Sequence, residues 1–515
     1  MNKQRLFLCV TFILLAAAGL RLYDLNNRGL FYADETRYYR DTLAVKEGID
    51  NYLAEGSPGG IRGLAGALRP LSESLAAKPG NSILGLMGLY VFGEHQSSVL
   101  FPGALLGIAT VFLVFLMSRK YYGREAGIFA ALALAACAAH VLFSRSFMAH
   151  SNQAFFLVLA AYLYLSGARA LSAFSMGFAF LVHPTGIIYF APFFLCELYF
   201  WVRRQRRFAN ILAFCACFMV PFILIEVISI LGREEFGSLL VALQKSYIAQ
   251  IFFVNSEALA LAKTSNQNLG HFHYVIMSYL ANGFIFTALL ICGLLFGLGR
   301  FFKDRVLSNF ILLAIPAAML IYWQYISAHE RLFREILVLF PFFCVAIGVF
   351  MSRLNRKLAV LLLALLILDG GWHSVTAVRE LKADYSGVED FLRKENIRAV
   401  ITPSAYLATT RDVLMPGLTK TDFYIAKDMD DARRIRKDKG TRYIIIHPGD
   451  WFYSGTFRLR SNPAAMAAEP HYCYFPHFYE AMRLDGKEEY LKEKYRYFIG
   501  SKNVTVYDIK KEESL

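Results

Sequence analysis

The chain has no internal repeat and no low-complexity segment, so neither a solenoid nor a long disordered tract accounts for its 515 residues. Cysteine is scarce: of eight in all, only Cys473 lies in the C-terminal region, and the other seven fall in or near apolar runs. That region therefore has no internal disulfide available to it. Cys215 and Cys217, one residue apart, read as small lipid-buried side chains and not as a metal site. The C-terminal region also lacks a glycine-rich phosphate loop and a Ser/His/Asp signature, so it carries neither a nucleotide cradle nor a serine-hydrolase constellation.

What is plentiful is apolar. Hydrophobic residues make up 56% of the chain, with 45 Phe and 29 Tyr and a mean hydropathy of +0.41, the composition of a polytopic membrane protein. A bilayer core about 30 Å thick takes roughly 20 apolar helical residues to cross. Eleven runs suit that role: 6–20, 98–117, 126–142, 154–171, 172–182, 186–202, 211–231, 275–299, 310–326, 336–350 and 359–368. Run 82–92 reads as an interfacial helix, and segments 24–81 and 232–274 as outer loops with helices on the membrane surface. From 373 to 515 charge rises and long apolar runs vanish. Strand-like stretches at 399–402 and 442–446 alternate there with helical ones at 388–395 and 431–437. The expected fold is a polytopic α-helical membrane protein with about eleven transmembrane helices (1–372) and a small C-terminal α/β soluble domain (373–515).

The net charge of +14 does not point to nucleic acid, because much of the basic charge sits in clusters beside apolar runs. Lys3 and Arg5 precede the first run; Arg119, Lys120 and Arg124, Arg203 to Arg207, Arg300, Lys303 and Arg305, and Arg353, Arg356 and Lys357 follow later ones. By the positive-inside rule the N-terminus is cytoplasmic, and an odd number of spans puts the loop after the first span and the C-terminal domain outside. The first run continues into Arg21-Leu22-Tyr23 without a small-residue cleavage site, so it reads as an uncleaved anchor. A bacterial-type inner membrane is the expected location.

Just after that anchor, Phe31-Tyr32-Ala33-Asp34-Glu35-Thr36-Arg37-Tyr38-Tyr39 places two carboxylates side by side at the membrane surface. Alone, such a pair suits a solvated loop or a helix start. Its sequel is more specific: Ala77-Lys78-Pro79-Gly80, Gly93-Glu94-His95, Pro102-Gly103-Ala104-Leu105-Leu106-Gly107 and Arg119-Lys120-Tyr121-Tyr122-Gly123. Phe143-Ser144-Arg145 follows, and Arg334 stands seven residues before Pro341. In order and spacing these elements, over roughly residues 1–350, resemble the GT-C membrane glycosyltransferases, in the branch of the protein O-mannosyltransferases and lipid A aminoarabinose transferases.

The resemblance implies inverting sugar transfer from a polyprenyl-phosphate-linked sugar to a glycolipid, polysaccharide or protein acceptor on the outer face, in contact with membrane lipid. Asp34 is the candidate base for the acceptor hydroxyl, with Glu35 second, in a supporting ion pair with Arg37. Lys78 and Arg334 are the candidate cations for the leaving phosphate, whose charge grows in the transition state. Arg37, Tyr38, Arg145 and His150 complete the candidate substrate contacts. Each has a plainer reading: Lys78 as a snorkelling lysine, Arg145 as an interfacial anchor, His183 before Pro184 as a helix cap. The chain departs from the family pattern at Leu100, where an arginine is expected, at His150, where an acid is common, and at Ala77, which replaces a metal-holding acid. His271 and His273 fall short of a closed metal site, so no obligatory metal or cofactor is expected. A transporter or flippase of polyprenyl-linked sugars is the alternative. The span centres argue against it, being nearly free of ionisable residues, with Glu226 the main exception. A third reading is a silent assembly scaffold.

Overall fold

The computed structural model describes residues 2–30, 33–57, 59–73, 78–232, 278–279, 281–304, 316, 333–380, 383, 385–402, 405–418, 420–426, 429–441, 443–446 and 505–508. The expected span 310–326, apart from residue 316, and nearly all of the outer segment 232–274 lie outside these residues, as do His271, His273 and Cys473. The chain forms two compact units. One holds the described residues up to Tyr23, from Tyr38 to Gly232 and from 278 to Val375; the other holds those of Asp24–Arg37 and those from Thr376 on. Residues 24–37, part of the first outer loop in the sequence reading, thus pack with the C-terminal region.

The first unit is helical. In chain order it contains α1 (Lys3–Leu22), most of α2 (Ala33–Ala54), α3 (Gly60–Ala67), α4 (Pro70–Glu73), α5 (Pro79–Phe92), α6 (Leu100–Tyr122) and α7 (Arg124–Ala135). After these come α8 (Ala138–Ser144), α9 (Ala149–Leu165), α10 (Arg169–Val182), α11 (Gly186–Val202) and α12 (Phe208–Leu231), then helices Phe284–Asp304 and Phe340–Met351 and most of Arg356–Glu380. Local chemistry sets several boundaries. The Asn2 side chain accepts from Arg5 N at 2.9 Å and caps α1. Pro79 opens α5 at its first turn, where a missing N–H costs nothing. His183 is extended before Pro184, and α10 ends there.

Among the described residues four helical stretches are long and apolar enough to cross a membrane: Lys3–Asn27, Gln96–Tyr122, Phe208–Leu231 and Arg356–Arg379. Shorter apolar helices cover Arg169–Val182, Gly186–Val202, Phe284–Arg300 and Ile336–Met351. Phe7, Phe12 and Leu15 of α1 and Leu368 of the last long helix are exposed, as a lipid-facing surface requires, so the chain is an integral membrane protein. Inside, aromatic rings weld α10, α11 and α12: Phe190 stacks on Phe218 with centroids 4.0 Å apart, and Phe180 packs against Phe222 with tilted rings, centroids 4.3 Å apart.

Two expectations from the sequence change here. The run 126–142 is not one helix: α7 and α8 meet at a 62° bend across Ala136 and Cys137. No proline causes it. The backbone groups it frees are met by side chains from other helices, as a low-dielectric surround demands. Arg21 Nη2 donates to Leu134 O at 3.2 Å, Ser374 Oγ to Ala136 O at 3.1 Å, and Ala139 N to Asn282 Oδ1 at 2.8 Å. The last span, in turn, does not stop at 368. Its helix runs on to Glu380 and carries Asp369, whose Oδ2 accepts from Ile285 N at 2.8 Å and caps the Phe284–Asp304 helix from outside.

In the second unit, β1 (Ala399–Thr402), β2 (Asp422–Ile425), β3 (Tyr443–Ile446) and β4 (Thr505–Asp508) form one sheet in the order β2-β1-β3-β4. β1 pairs in parallel with β2 (Ala399 opposite Asp422) and with β3 (Ile401 opposite Ile444); β3 and β4 are antiparallel. Helices Ala405–Leu414 and Met429–Lys439 make the crossovers, which gives an α/β unit. Val400, Ile401, Ile444 and Ile445 are fully buried, as β-branched residues of central strands should be.

Candidate active site

Asp34 and Glu35 occupy the first turn of α2, where the helix dipole favours negative charge. Their environments differ sharply. Glu35 is fully buried, and both its oxygens accept from Arg28 Nη1, at 2.9 and 3.2 Å. Arg28 is itself buried, and its Nη1 also donates to Gly29 O at 2.9 Å. The partner found for Glu35 is thus Arg28, a residue the sequence reading did not single out. Arg28 O in turn accepts from Ala383 N at 2.7 Å, which fastens the segment before Asp34 to the C-terminal region of the same unit. Asp34 and Arg37 remain half-buried.

The first unit holds the other described candidates. Tyr38 is buried with its ring edge-on to Phe147, 6.2 Å between centroids. Lys78 is half-buried at the residue preceding α5. The turn it opens is pressed against the end of α10: a Cβ on Gly80 would lie 2.7 Å from Val182 N, so only glycine fits there. Next to that contact is a buried polar web. Asn81 Nδ2 donates to Phe147 O at 3.1 Å and Asn152 Nδ2 to Asn81 Oδ1 at 2.7 Å. Gln153 Nε2 donates to His183 O at 2.8 Å, and Thr185 Oγ1 to Gln153 Oε1 at 3.2 Å. His150, in the first turn of α9, packs against His183 with the rings tilted and their centroids 4.1 Å apart, and His183 Nδ1 lies 2.8 Å from Thr185 Oγ1. His183 therefore ends α10, as its place before Pro184 suggests, and also joins His150.

Arg145 has a different use. It is 2% exposed, and its Nη1 donates to Leu20 O, Arg21 O and Tyr23 O at 3.2, 3.1 and 2.7 Å. These are orphan carbonyls at the negative end of α1, so Arg145 acts as a long-range helix cap. These bonds give Arg145 a structural part at the end of α1. The Pro-Gly-Ala-Leu-Leu-Gly element on α6 forms the floor beneath this corner: a Cβ on Gly107 would meet Ser144 Cβ at 2.5 Å and Arg21 Nε at 3.2 Å. Arg334 lies in the 3-10 helix Phe333–Leu339, with its side chain outside the described set.

Outside the membrane-spanning part, α2 and α5 are tied by Lys46, whose Nζ reaches Asp50 Oδ2 and Glu94 Oε1, each at 2.5 Å. Tyr90 OH donates to Asp50 Oδ1 at 3.0 Å. Hydrogen bonding to the two carboxylates raises the Lys46 pKa, and the hydrogen bond from Lys46 lowers that of Asp50. Burial, with a lesser contribution from Glu94, pushes Tyr39 up to about 12. Among the described residues no three His, Cys, Asp or Glu side chains converge to hold a metal ion.

The family model for dolichyl-phosphate-mannose-protein mannosyltransferase matches residues 82–230. No curated protein sequence matches the chain. Solved structures with a similar fold include the apo oligosaccharyltransferase of Archaeoglobus fulgidus, at 14% identity over 86% of this chain and 70% of that one, with a TM-score of 0.55. The same organism's AglB, in complex with an inhibitory peptide and a dolichol-phosphate, matches at 15% identity over 86% and 69%, with a TM-score of 0.54. ArnT from Cupriavidus metallidurans in the apo state matches at 13% identity over 87% of this chain and 93% of that one, with a TM-score of 0.51. The chain thus shares its fold with these solved structures, and the part of it at residues 82–230, less than half of its length, matches the mannosyltransferase family model.

Proposed function

We propose that the protein transfers a sugar, with inversion, from a polyprenyl-phosphate donor to a lipid, polysaccharide or protein acceptor at the outer face of a bacterial inner membrane. The N-terminus is inside, and the C-terminal region (373–515) lies outside as a separate domain. The observation that carries the reaction class is the mannosyltransferase-family match over residues 82–230. A similar fold in AglB, whose solved complex contains a dolichol-phosphate, supports a lipid-phosphate donor.

In the transfer, the acceptor oxygen attacks the anomeric carbon while the bond from that carbon to the phosphate oxygen breaks, and the polyprenyl phosphate leaves. The acceptor's proton passes to a carboxylate. The Arg28–Glu35 pair supports the choice of Asp34: Glu35 is committed to a buried cation, whereas Asp34 keeps partial access. A positioned base contributes about 10²- to 10⁴-fold. Lys78, at the mouth of α5, and Arg334 stabilise the phosphate as it leaves. Arg37, Tyr38 and His150 shape the surroundings of donor and acceptor.

The test incubates purified protein with a panel of polyprenyl-phosphate sugars and membrane lipid extract and follows products by mass spectrometry, with Asp34→Asn and Lys78→Ala alongside. Product that disappears in Asp34→Asn and needs more donor in Lys78→Ala is the expected result. No turnover of any donor, or full activity in both variants, removes the assignment. A reporter at Leu515 active only in the cytoplasm overturns the topology.

A further inference from the structure

A second charged cluster lies at the far end of α9 and α10 from His150 and His183, about 20 Å away along the 14 residues of α10. Three connections are tied together there. Lys120 Nζ, in the last turn of α6, donates to Ser166 Oγ in the α9–α10 connection at 2.9 Å. Arg169, the first residue of α10, and Arg206, in the α11–α12 connection, converge on a single carboxylate. Glu197 of α11 is fully buried, and its Oε1 lies 3.3 Å from Arg169 Nε and 2.5 Å from Arg206 Nη1, which also donates to Oε2 at 2.6 Å. Arg206 sits over the Phe200 ring, 4.2 Å from its centroid, and Arg169 over that of Tyr164, at 5.8 Å. Arg203, Arg204 and Arg207 of the same α11–α12 connection are exposed, and among the described residues neither they nor Lys120 have a carboxylate partner. Six cations thus surround one carboxylate, and the neighbouring Arg119, Arg124 and Glu125 add to the positive balance.

Basic residues beside a span set topology whatever their geometry. A topology signal has no need of a buried carboxylate, whose desolvation is costly. Glu197 brings two guanidiniums to one oxygen and fixes them, and each keeps N–H donors beyond those spent on the carboxylate. We propose that this cluster binds the phosphate of an anionic phospholipid, with Arg169 and Arg206 as fixed forks and Lys120 as a point charge. Guanidinium forks match phosphate oxygens in shape and charge, and basic pockets between membrane helices suit anionic headgroups. The adjoining surface favours a lipid over a soluble phosphate. Tyr199 and Val202 at the end of α11 and Phe208 and Leu212 at the start of α12 are exposed, so acyl chains have an apolar track beside the headgroup. Trp201 packs against Phe208, centroids 5.5 Å apart, at the level where interfacial aromatic rings gather. Binding here is independent of the proposed sugar transfer; only its assignment to the cytoplasmic leaflet rests on the proposed orientation.

The test is native mass spectrometry of the delipidated full-length protein in detergent, titrated with dioleoylphosphatidylglycerol, with dioleoylphosphatidylcholine of the same chains, and with inorganic phosphate. The glycerol lipid should bind with an apparent Kd at least about fivefold below that of the choline lipid, and inorganic phosphate should not displace it. Arg169→Lys keeps the charge and loses the fork. Glu197→Gln makes the cluster more positive and releases both guanidiniums. Each should raise the Kd for the glycerol lipid about fivefold or more and leave that for the choline lipid unchanged. The opposite signs expected for Glu197→Gln separate a built site, which weakens, from a mere field of charge, which strengthens. Equal affinity for the two lipids, displacement by inorganic phosphate, or an unchanged Kd in Arg169→Lys overturns the proposal, as does unchanged or tighter binding in Glu197→Gln. Should Glu197→Gln lower the unfolding midpoint, Arg169→Lys with its midpoint intact decides alone.

Discussion

Replacing Glu35 by Gln should loosen the segment before α2 and leave the chemistry of Asp34 in place. The pair it breaks is short, 2.9 Å, and both side chains are at most 1% exposed. At an effective dielectric of about 20, two unit charges at that distance attract by about 6 kcal/mol before desolvation is counted. Removing one member strands the other, so the net loss is about 3–5 kcal/mol. The measurement is amide hydrogen exchange over residues 24–40 in the full-length protein. A loss of that size speeds exchange from the opened state by roughly a hundredfold or more. Arg28→Met combined with Glu35→Leu should recover much of the protection, because an apolar pair of similar volume leaves no stranded charge. Exchange within about threefold of wild type in Glu35→Gln, or a turnover loss of about 10²-fold or more with protection intact, would refute the reasoning and return Glu35 to the catalytic role.

Asp34→Asn should show the converse, turnover lower by about 10²- to 10⁴-fold with exchange over residues 24–40 unchanged. Arg21→Met removes the donor to Leu134 O and to His140 Nδ1 at the α7–α8 bend, at a cost of about 1–3 kcal/mol; alkylation mapped at the buried Cys137 should rise, and an unaltered rate would show that the bend holds itself. Asp369→Ala should cost about 1 kcal/mol by uncapping the Phe284–Asp304 helix, seen as faster exchange of its first turn. The Lys46 clamp is pH-bounded. Asp50 has a lowered pKa, so its contribution is present above the usual carboxylate range and lost as pH falls through the lowered value; Lys46 has a raised one, so its contribution is present below its usual range and lost as pH rises through the raised value. Protection of residues 46–52, corrected for intrinsic rates, should therefore be flat between about pH 4 and 10 and fall on either side. Glu94 is largely exposed, so Lys46→Met costs no more than about 1 kcal/mol.

Much of the fold was legible because it is written in one dimension. Apolar runs long enough to cross a bilayer, basic clusters at their ends, and β-branched stretches at 399–402 and 443–446 need no partner to be recognised. The bend at Ala136 and Cys137 left no such trace: the run is continuous in hydropathy, and the groups that stabilise the break come from Arg21, Asn282 and Ser374, each more than a hundred positions away. The candidate site divides in the same way. Asp34, Lys78 and the small residues of 102–107 are visible as motifs, whereas Arg28 carries no motif and was passed over.

The sequence by itself determined that this is a membrane protein and showed the motifs that resemble membrane glycosyltransferases, because transfer energies and motif spacing are properties of the chain. Tertiary structure decided what several of the ionisable groups touch. It buried Glu35 against Arg28, turned Arg145 into a cap for α1, and set His150 on His183. A carboxylate or guanidinium has the same formula in a solvated loop and in a core; only the groups folded around it fix whether it meets substrate or holds the scaffold.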